Sequence, residues 1–135
     1  MTQIDHLGIA VKSLAEAKRF YQQLGLEVMP EETVEAEKVR VAMVPVGEAR
    51  IELLEPTVPD STMAKFLEKR GPGLHHVALH VTGLAAVVQR LKASGTRLVN
   101  DEIKVGAGGH RYVFVHPSST GGVLLELVED DGQGR

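Results

Sequence analysis

An α+β fold made of two tandem βαβββ modules is what this sequence predicts, on three observations. A short apolar run opening near a histidine occurs twice, at residues 5–11 and 75–81. Each run leads into a stretch of helical periodicity that stops at a glycine. Each half then closes with paired strand-length segments, and the two closing strands match: Ile51-Glu52-Leu53-Leu54-Glu55 against Leu125-Glu126-Leu127-Val128-Glu129. Such internal repetition decides the architecture before any single element does.

The elements follow in order. Asp5-His6-Leu7-Gly8-Ile9-Ala10-Val11 has strand length and apolar content. Positions 14, 17, 20, 21 and 24 are then apolar or small, at helical spacing. Ser13 stands where an N-cap belongs and Gly25 where a helix ends. A less sharply patterned strand is expected near Val28–Val34. Val39–Val46 and Ala49–Glu55 flank Gly47-Glu48 as a hairpin, and Pro56 ends the half. Ser61–Arg70 reads as a linking helix and Gly71-Pro72-Gly73 as a joint. The second half repeats the plan with His75–Val81, a helix over 84–93 stopping at Gly95, and Thr82 as its capping residue. A weaker strand is expected near Arg97–Asn100. His110–Val115 and Val123–Val128 then flank the turn Pro117–Gly122. The chain therefore reads as one domain, 1–135, with modules at about 3–56 and 74–129 and a linker helix at about 61–70. Asp130–Arg135 is expected to be a frayed end.

Composition narrows the function. With 43% hydrophobic and 24% charged residues, the chain is an ordinary globular sequence. Fifteen basic against eighteen acidic residues leave a net charge of −3, which gives no electrostatic case for nucleic acid or a membrane surface. The absence of cysteine excludes disulfides, thiolate metal sites and cysteine nucleophiles. No apolar run approaches the ~20 residues of a membrane span. The N-terminus lacks a basic n-region and a cleavage site, so a cytoplasmic protein is expected.

The repeat marks two polar positions twice. His6 and His76 lie near the start of each first strand; Glu52 and Glu126 lie in each last strand, 46 and 50 residues later. Strand alternation puts Glu126 on a face with Leu124 and Val128, and Glu52 on a face with Leu54. A lone strand histidine is ordinarily a core or rim residue, and a lone strand glutamate ordinarily faces water. Four at matched places in two halves are a different signal. A buried carboxylate must neutralise, pair or bind a cation. Two imidazoles and two carboxylates suit a divalent transition metal.

With these residues in view, the chain resembles the vicinal oxygen chelate superfamily (glyoxalases, bleomycin-resistance proteins, dioxygenases) over about residues 3–129. Within it, the closest likeness is to the methylmalonyl-CoA epimerase family. It is carried by IDHLGIAV (4–11), IELLEP (51–56), DSTMAKFLEKRGPGLHHVAL (60–79) and GAGGHRYVFVHPSSTGGVLLELVE (106–129). The resemblance implies a cup-shaped mixed sheet around a metal site, with His6, Glu52, His76 and Glu126 as ligands. Some epimerases carry glutamine at the first acidic position; glutamate here keeps a metal-binding oxygen. The family pattern and the repeat both select His76 over His75. The implied cofactor is a divalent metal, Co2+ first, with Zn2+, Ni2+ or Mn2+ also suited. The implied partners are a coenzyme A thioester and a second copy of the chain.

The implied reaction interconverts (R)- and (S)-methylmalonyl-CoA by metal-assisted α-proton abstraction through an enolate. Glu126 is the implied base at the metal. Inversion needs a second proton carrier on the opposite side of the carbon. Some epimerases place a glutamate where this chain has Val41, which cannot accept a proton; Glu35 and Glu37 lie just upstream, and Glu37 is the candidate. Gly106-Ala107-Gly108-Gly109 could offer backbone N–H groups to an anion, but lacks the strand–helix context of a dinucleotide fingerprint. Lys69, Lys104 and Arg111 could meet the coenzyme A tail. His80, His110 and His116 read as structural or exposed. A glyoxalase I-like lyase acting on a glutathione hemithioacetal could use the same ligands, and a non-catalytic small-molecule-binding protein could share the fold. An extradiol dioxygenase would want two histidines and one carboxylate, against which Glu52 argues.

Overall fold

The computed structural model describes residues 2–129; the expected fray at Asp130–Arg135 lies outside the described residues. Eight strands and three helices occur among them, in the expected α+β order. They are β1 (Gln3–Ala10), α1 (Leu14–Gln23), β2 (Glu32–Val34), β3 (Val39–Val46), β4 (Ala49–Pro56), α2 (Thr62–Arg70), β5 (Gly73–His80), α3 (Leu84–Ala93), β6 (Lys104–Val105), β7 (Arg111–Val115) and β8 (Leu125–Glu129). The chain forms two compact units. One is His6–His75; the other runs from His76 onward and includes the first residues of β1.

In the first unit β1 runs parallel to β4, and β3 joins antiparallel to β4 on one side and to β2 on the other. Alternation splits the side chains between two faces. Ala42, Val44 and Leu53 turn to one face and pack with Val11 and Leu14 of the α1 segment. His6, Gly8, Met43, Val41, Glu52 and Leu54 turn to the other, as the register His6↔Arg50, Gly8↔Glu52 and Met43↔Glu52 requires. Ser13 caps α1 as expected, its hydroxyl accepting from the Glu16 N–H at 3.2 Å. Ser61 caps α2 in the same way, accepting from Ala64 at 3.1 Å.

The second unit repeats the plan. β5 runs parallel to β8, and β7 lies antiparallel to both β8 and β6. Leu84 and Val88 of α3 pack with Val113, Val115 and Leu127 on one face. Ala78, Tyr112 and Val128 are buried on the other, with Phe114 against them.

Three expectations change. The strand expected at Arg97–Asn100 is reduced to a single bridge, Leu98 to Val115, with Val99 donating to Phe114 at 2.8 Å. The edge strand is Lys104–Val105 instead. The cause is local: the Asn100 side-chain oxygen takes the Phe114 N–H at 3.2 Å, ending the backbone ladder there. Thr82 does not cap α3. Gly83 occupies the N-cap at φ 69°, ψ 55°, a left-handed conformation that glycine adopts without strain. The carboxylate of Glu129, at the end of β8, accepts the Leu84 N–H at 2.9 Å instead. β2 is also shorter than expected, spanning Glu32–Val34, with Met29 separately donating to Met43 at 2.8 Å.

Candidate metal centre

Each unit holds one buried histidine–glutamate pair. His6 stands on β1 and Glu52 on β4, two strands that pair in parallel, so both side chains leave the sheet on one face. His6 Nδ1 lies 3.3 Å from Glu52 Oε2. His76 on β5 and Glu126 on β8 repeat this, with Nε2 2.9 Å from Oε1. The four residues are 4%, 6%, 5% and 8% exposed.

The surroundings are built by register. Glu52 is flanked across the strands by Gly8 and Met43. Glu126 is flanked by Ala78 and Phe114. Gly8 and Ala78 are the small residues of these two registers. Phe114 meets the His76 ring edge-on at 5.3 Å between centroids, and Tyr112 meets Phe114 at 5.7 Å. These contacts restrict the His76 ring.

The donor sets fit a divalent transition ion. Metal–nitrogen and metal–oxygen bonds of about 2.0–2.2 Å put neighbouring donors of one ion roughly 3 Å apart. The separations in the two pairs, 3.3 and 2.9 Å, match that edge. Two carboxylates at this depth would otherwise carry a heavy desolvation cost.

The choice of His76 over His75 is explained by alternation. His75 points the other way and packs edge-on against Phe66 of α2 at 4.8 Å. Val41 lies on the donor face of its module, buried, where it is register-paired with Leu54 and with Glu32. Glu37 lies in the turn between β2 and β3, half-buried, its N–H donating to Val34 at 3.2 Å; Glu35 is exposed. The turn carries Lys38 at φ 55°.

The remaining expectations sort as follows. The loop at 106–109 closes on itself: Gly106 donates to His110, Gly109 to Gly106 and His110 to Ala107. Those three N–H groups are spent inside the turn and are not an anion cradle. Gly106 itself is required by crowding, since a Cβ there would sit 3.0 Å from the Tyr112 ring. Arg111 pairs with Glu129 at 2.5 Å. Lys69 lies in the last turn of α2 and Lys104 on the edge strand β6. His116 caps the turn after β7, its Nδ1 accepting from the Ser118 N–H at 3.0 Å. His80 is half-buried on the His76 side of β5, and His110 half-buried before β7. Two charged residues on the first module's donor face went unnoticed in the sequence. Arg50 reaches Glu52 at 3.8 Å, and Glu32 stands opposite Val41. Counting alternation back from Glu52 and across the hairpin would have found both.

Fold and site define a class. The chain belongs to the Glyoxalase/Bleomycin resistance protein/Dioxygenase superfamily, whose model matches residues 5–114. Its relatives narrow this. An uncharacterised Bacillus subtilis protein, YqjC, is 42% identical over 133 residues, 98% of this chain and 95% of that protein. The mitochondrial methylmalonyl-CoA epimerase of Bos taurus is 39% identical over 129 residues, 94% of this chain and 74% of that protein. A substituted Streptomyces coelicolor methylmalonyl-CoA epimerase, solved with 2-nitronate-propionyl-CoA, superposes with a TM-score of 0.94 at 37% identity, covering 100% of this chain and 99% of that one. No helix among the described residues is long and apolar enough to cross a membrane.

Proposed function

We propose that this protein is an isomerase that interconverts (R)- and (S)-methylmalonyl-CoA, with His6, Glu52, His76 and Glu126 holding one divalent metal, Co2+ first among the suited ions. The observation that carries the reading is the pair of buried histidine–glutamate contacts at repeat-matched positions. The epimerase relatives support the substrate.

The difficult step is removal of the proton between a thioester and a carboxylate. A divalent ion in the site supplies a Lewis acid for the charge that develops on the thioester oxygen. The protein's own part is acid–base work and orientation. Glu126 takes the α-proton, giving an enolate, and returns it for the reverse reaction. Phe114 and Ala78 wall its carboxylate, which keeps water from reprotonating the carbon indiscriminately. His6 and His76 hold their positions from the strand backbones, so the donors need no rearrangement when substrate binds.

Inversion requires a proton from the other side of the planar carbon. Val41 contributes none. Glu37 is the more enclosed of the nearby carboxylates and is the second carrier in this reading; Glu32, exposed and opposite Val41, is the comparison. Glu37→Gln should retain α-deuterium uptake from D₂O and lose inversion. If Glu32→Gln shows that split and Glu37→Gln does not, the assignment moves to Glu32. A homodimer is proposed on the family resemblance, and sedimentation of the purified protein checks it.

The primary test is proton exchange with one epimer of methylmalonyl-CoA in D₂O, with a chelator-treated control. NMR follows α-deuterium uptake and an epimer-specific mutase assay follows inversion. Metal-dependent uptake with inversion is expected. No uptake above the control, with metal content verified, overturns the reading.

A further inference from the structure

We propose that Arg50 is a specificity-determining residue that binds the free carboxylate of the substrate acyl group. The inference rests on the epimerase reading and sharpens it.

The metal donors are duplicated, so they cannot by themselves distinguish the two ends of a bound molecule. The substrate is unlike a repeat: one oxygen belongs to a neutral thioester and another to an anionic carboxylate. Orientation therefore needs an asymmetric charge at the site. Arg50 supplies it. It lies on β4 two residues before Glu52, on the donor face, in register with His6 on one side and Pro45 on the other. Its Nη2 is 3.8 Å from Glu52 Oε2, and its side chain is 21% exposed, so the guanidinium borders the site without being sealed from solvent. The corresponding position before Glu126 is Leu124, which carries no charge.

The chemistry suits the role. At 3.8 Å the Glu52 contact is an electrostatic one, longer than a hydrogen bond. A guanidinium presents a planar fork that matches a carboxylate in a bidentate way, and it stays charged at any working pH. It holds the α-carboxylate still while the neighbouring C–H bond breaks, which keeps that bond aligned with the proton-accepting carboxylate. A thioester without the carboxylate leaves the fork without this partner.

The test compares two ligands that differ by one carboxylate. Binding of methylmalonyl-CoA and of propionyl-CoA to the metal-loaded protein is measured by calorimetry, in the wild type, Arg50→Gln and Arg50→Lys. Wild type should prefer methylmalonyl-CoA. Arg50→Gln should cut that preference by about tenfold or more, the worth of a charge-assisted hydrogen bond, with propionyl-CoA binding and bound metal unchanged. Arg50→Lys should lie between, because a point charge replaces the fork. An unchanged preference overturns the inference. Equal losses for both ligands also overturn it and assign Arg50 to the coenzyme A portion. Loss of bound metal in both variants overturns it and makes Arg50 a positioning residue for Glu52. Failure of the wild type to bind either thioester is a separate outcome, which removes the epimerase reading itself.

Discussion

The two modules differ least at their buried histidine–glutamate pairs and most in what surrounds them. Both place a histidine on the opening strand and a glutamate on the parallel closing strand, in contact at 3.3 and 2.9 Å. Around Glu52 stand Met43, Arg50 and, further out, Val41 and Glu32. At the matching places around Glu126 stand Phe114, Leu124, Tyr112 and Lys104. The register Glu32↔Val41↔Leu54 becomes Lys104↔Tyr112↔Val128. The two modules thus share a buried histidine–glutamate contact and differ in its neighbours. Ligation is a symmetric task and suits a repeat. In the proposed reading, substrate orientation and the second proton transfer are asymmetric tasks and fall to the unmatched residues.

The largest expected effect probes this division. Glu126→Gln should lower epimerisation by ~10²–10⁴-fold, the range for a positioned acid–base group. Glu52→Gln keeps an oxygen that can ligate. It should weaken metal binding by at least about tenfold, the lower figure for groups that merely support ligands, and regain much of its activity at raised metal concentration. Mutase-coupled rates across a metal titration separate the two. Equal losses at full metal occupancy would make the two carboxylates chemically equivalent and break the comparison.

Stability is the next test. Leu53 and Leu127 follow the two glutamates, point to the helix-packed faces and are 1% and 5% exposed. Each Leu→Ala change should cost about 2–5 kcal/mol in urea unfolding. Leu53, the more deeply enclosed, should cost more. A reversed order would show the second module to be the more tightly packed.

Helix starts give the smallest effect. Ser13→Ala removes a local cap and should cost about 1 kcal/mol. Glu129→Gln weakens a cap that joins β8 to the start of α3 and also loosens the Arg111 pair. Its cost should exceed that of Ser13→Ala, because hydrogen bonds to charged groups contribute about 1.5–3 kcal/mol against about 1 for neutral ones. Matching denaturation midpoints for the two variants would contradict this.

The two buried histidine–glutamate pairs were legible before folding because two periodicities coincided. Strand alternation of period two assigned His6, Glu52, His76 and Glu126 to apolar faces, and the repeat aligned them. Ser13 was legible because a capping serine acts on its own helix, within three residues. Thr82 misled by the same local logic, since the actual cap comes from Glu129, 45 residues along the chain. The weak strand near 97–100 was displaced because one side chain, Asn100, competes with backbone pairing. Arg50 follows a glycine turn and reads as surface charge until the register of β1 with β4 puts it beside His6.

By itself the sequence determined the two modules and the repeat-matched histidines and glutamates. All of these depend on period and composition, which act over a few residues. Tertiary structure alone decided the 2.9 and 3.3 Å donor contacts, the edge strand at Lys104–Val105, the Glu129 cap and the approach of Arg50 to Glu52. The donor contacts, the edge strand and the Glu129 cap each need distant parts of the chain brought together, which leaves no mark in the spacing of either part; Arg50 and Glu52 share β4, and only the folded side chains fix their distance.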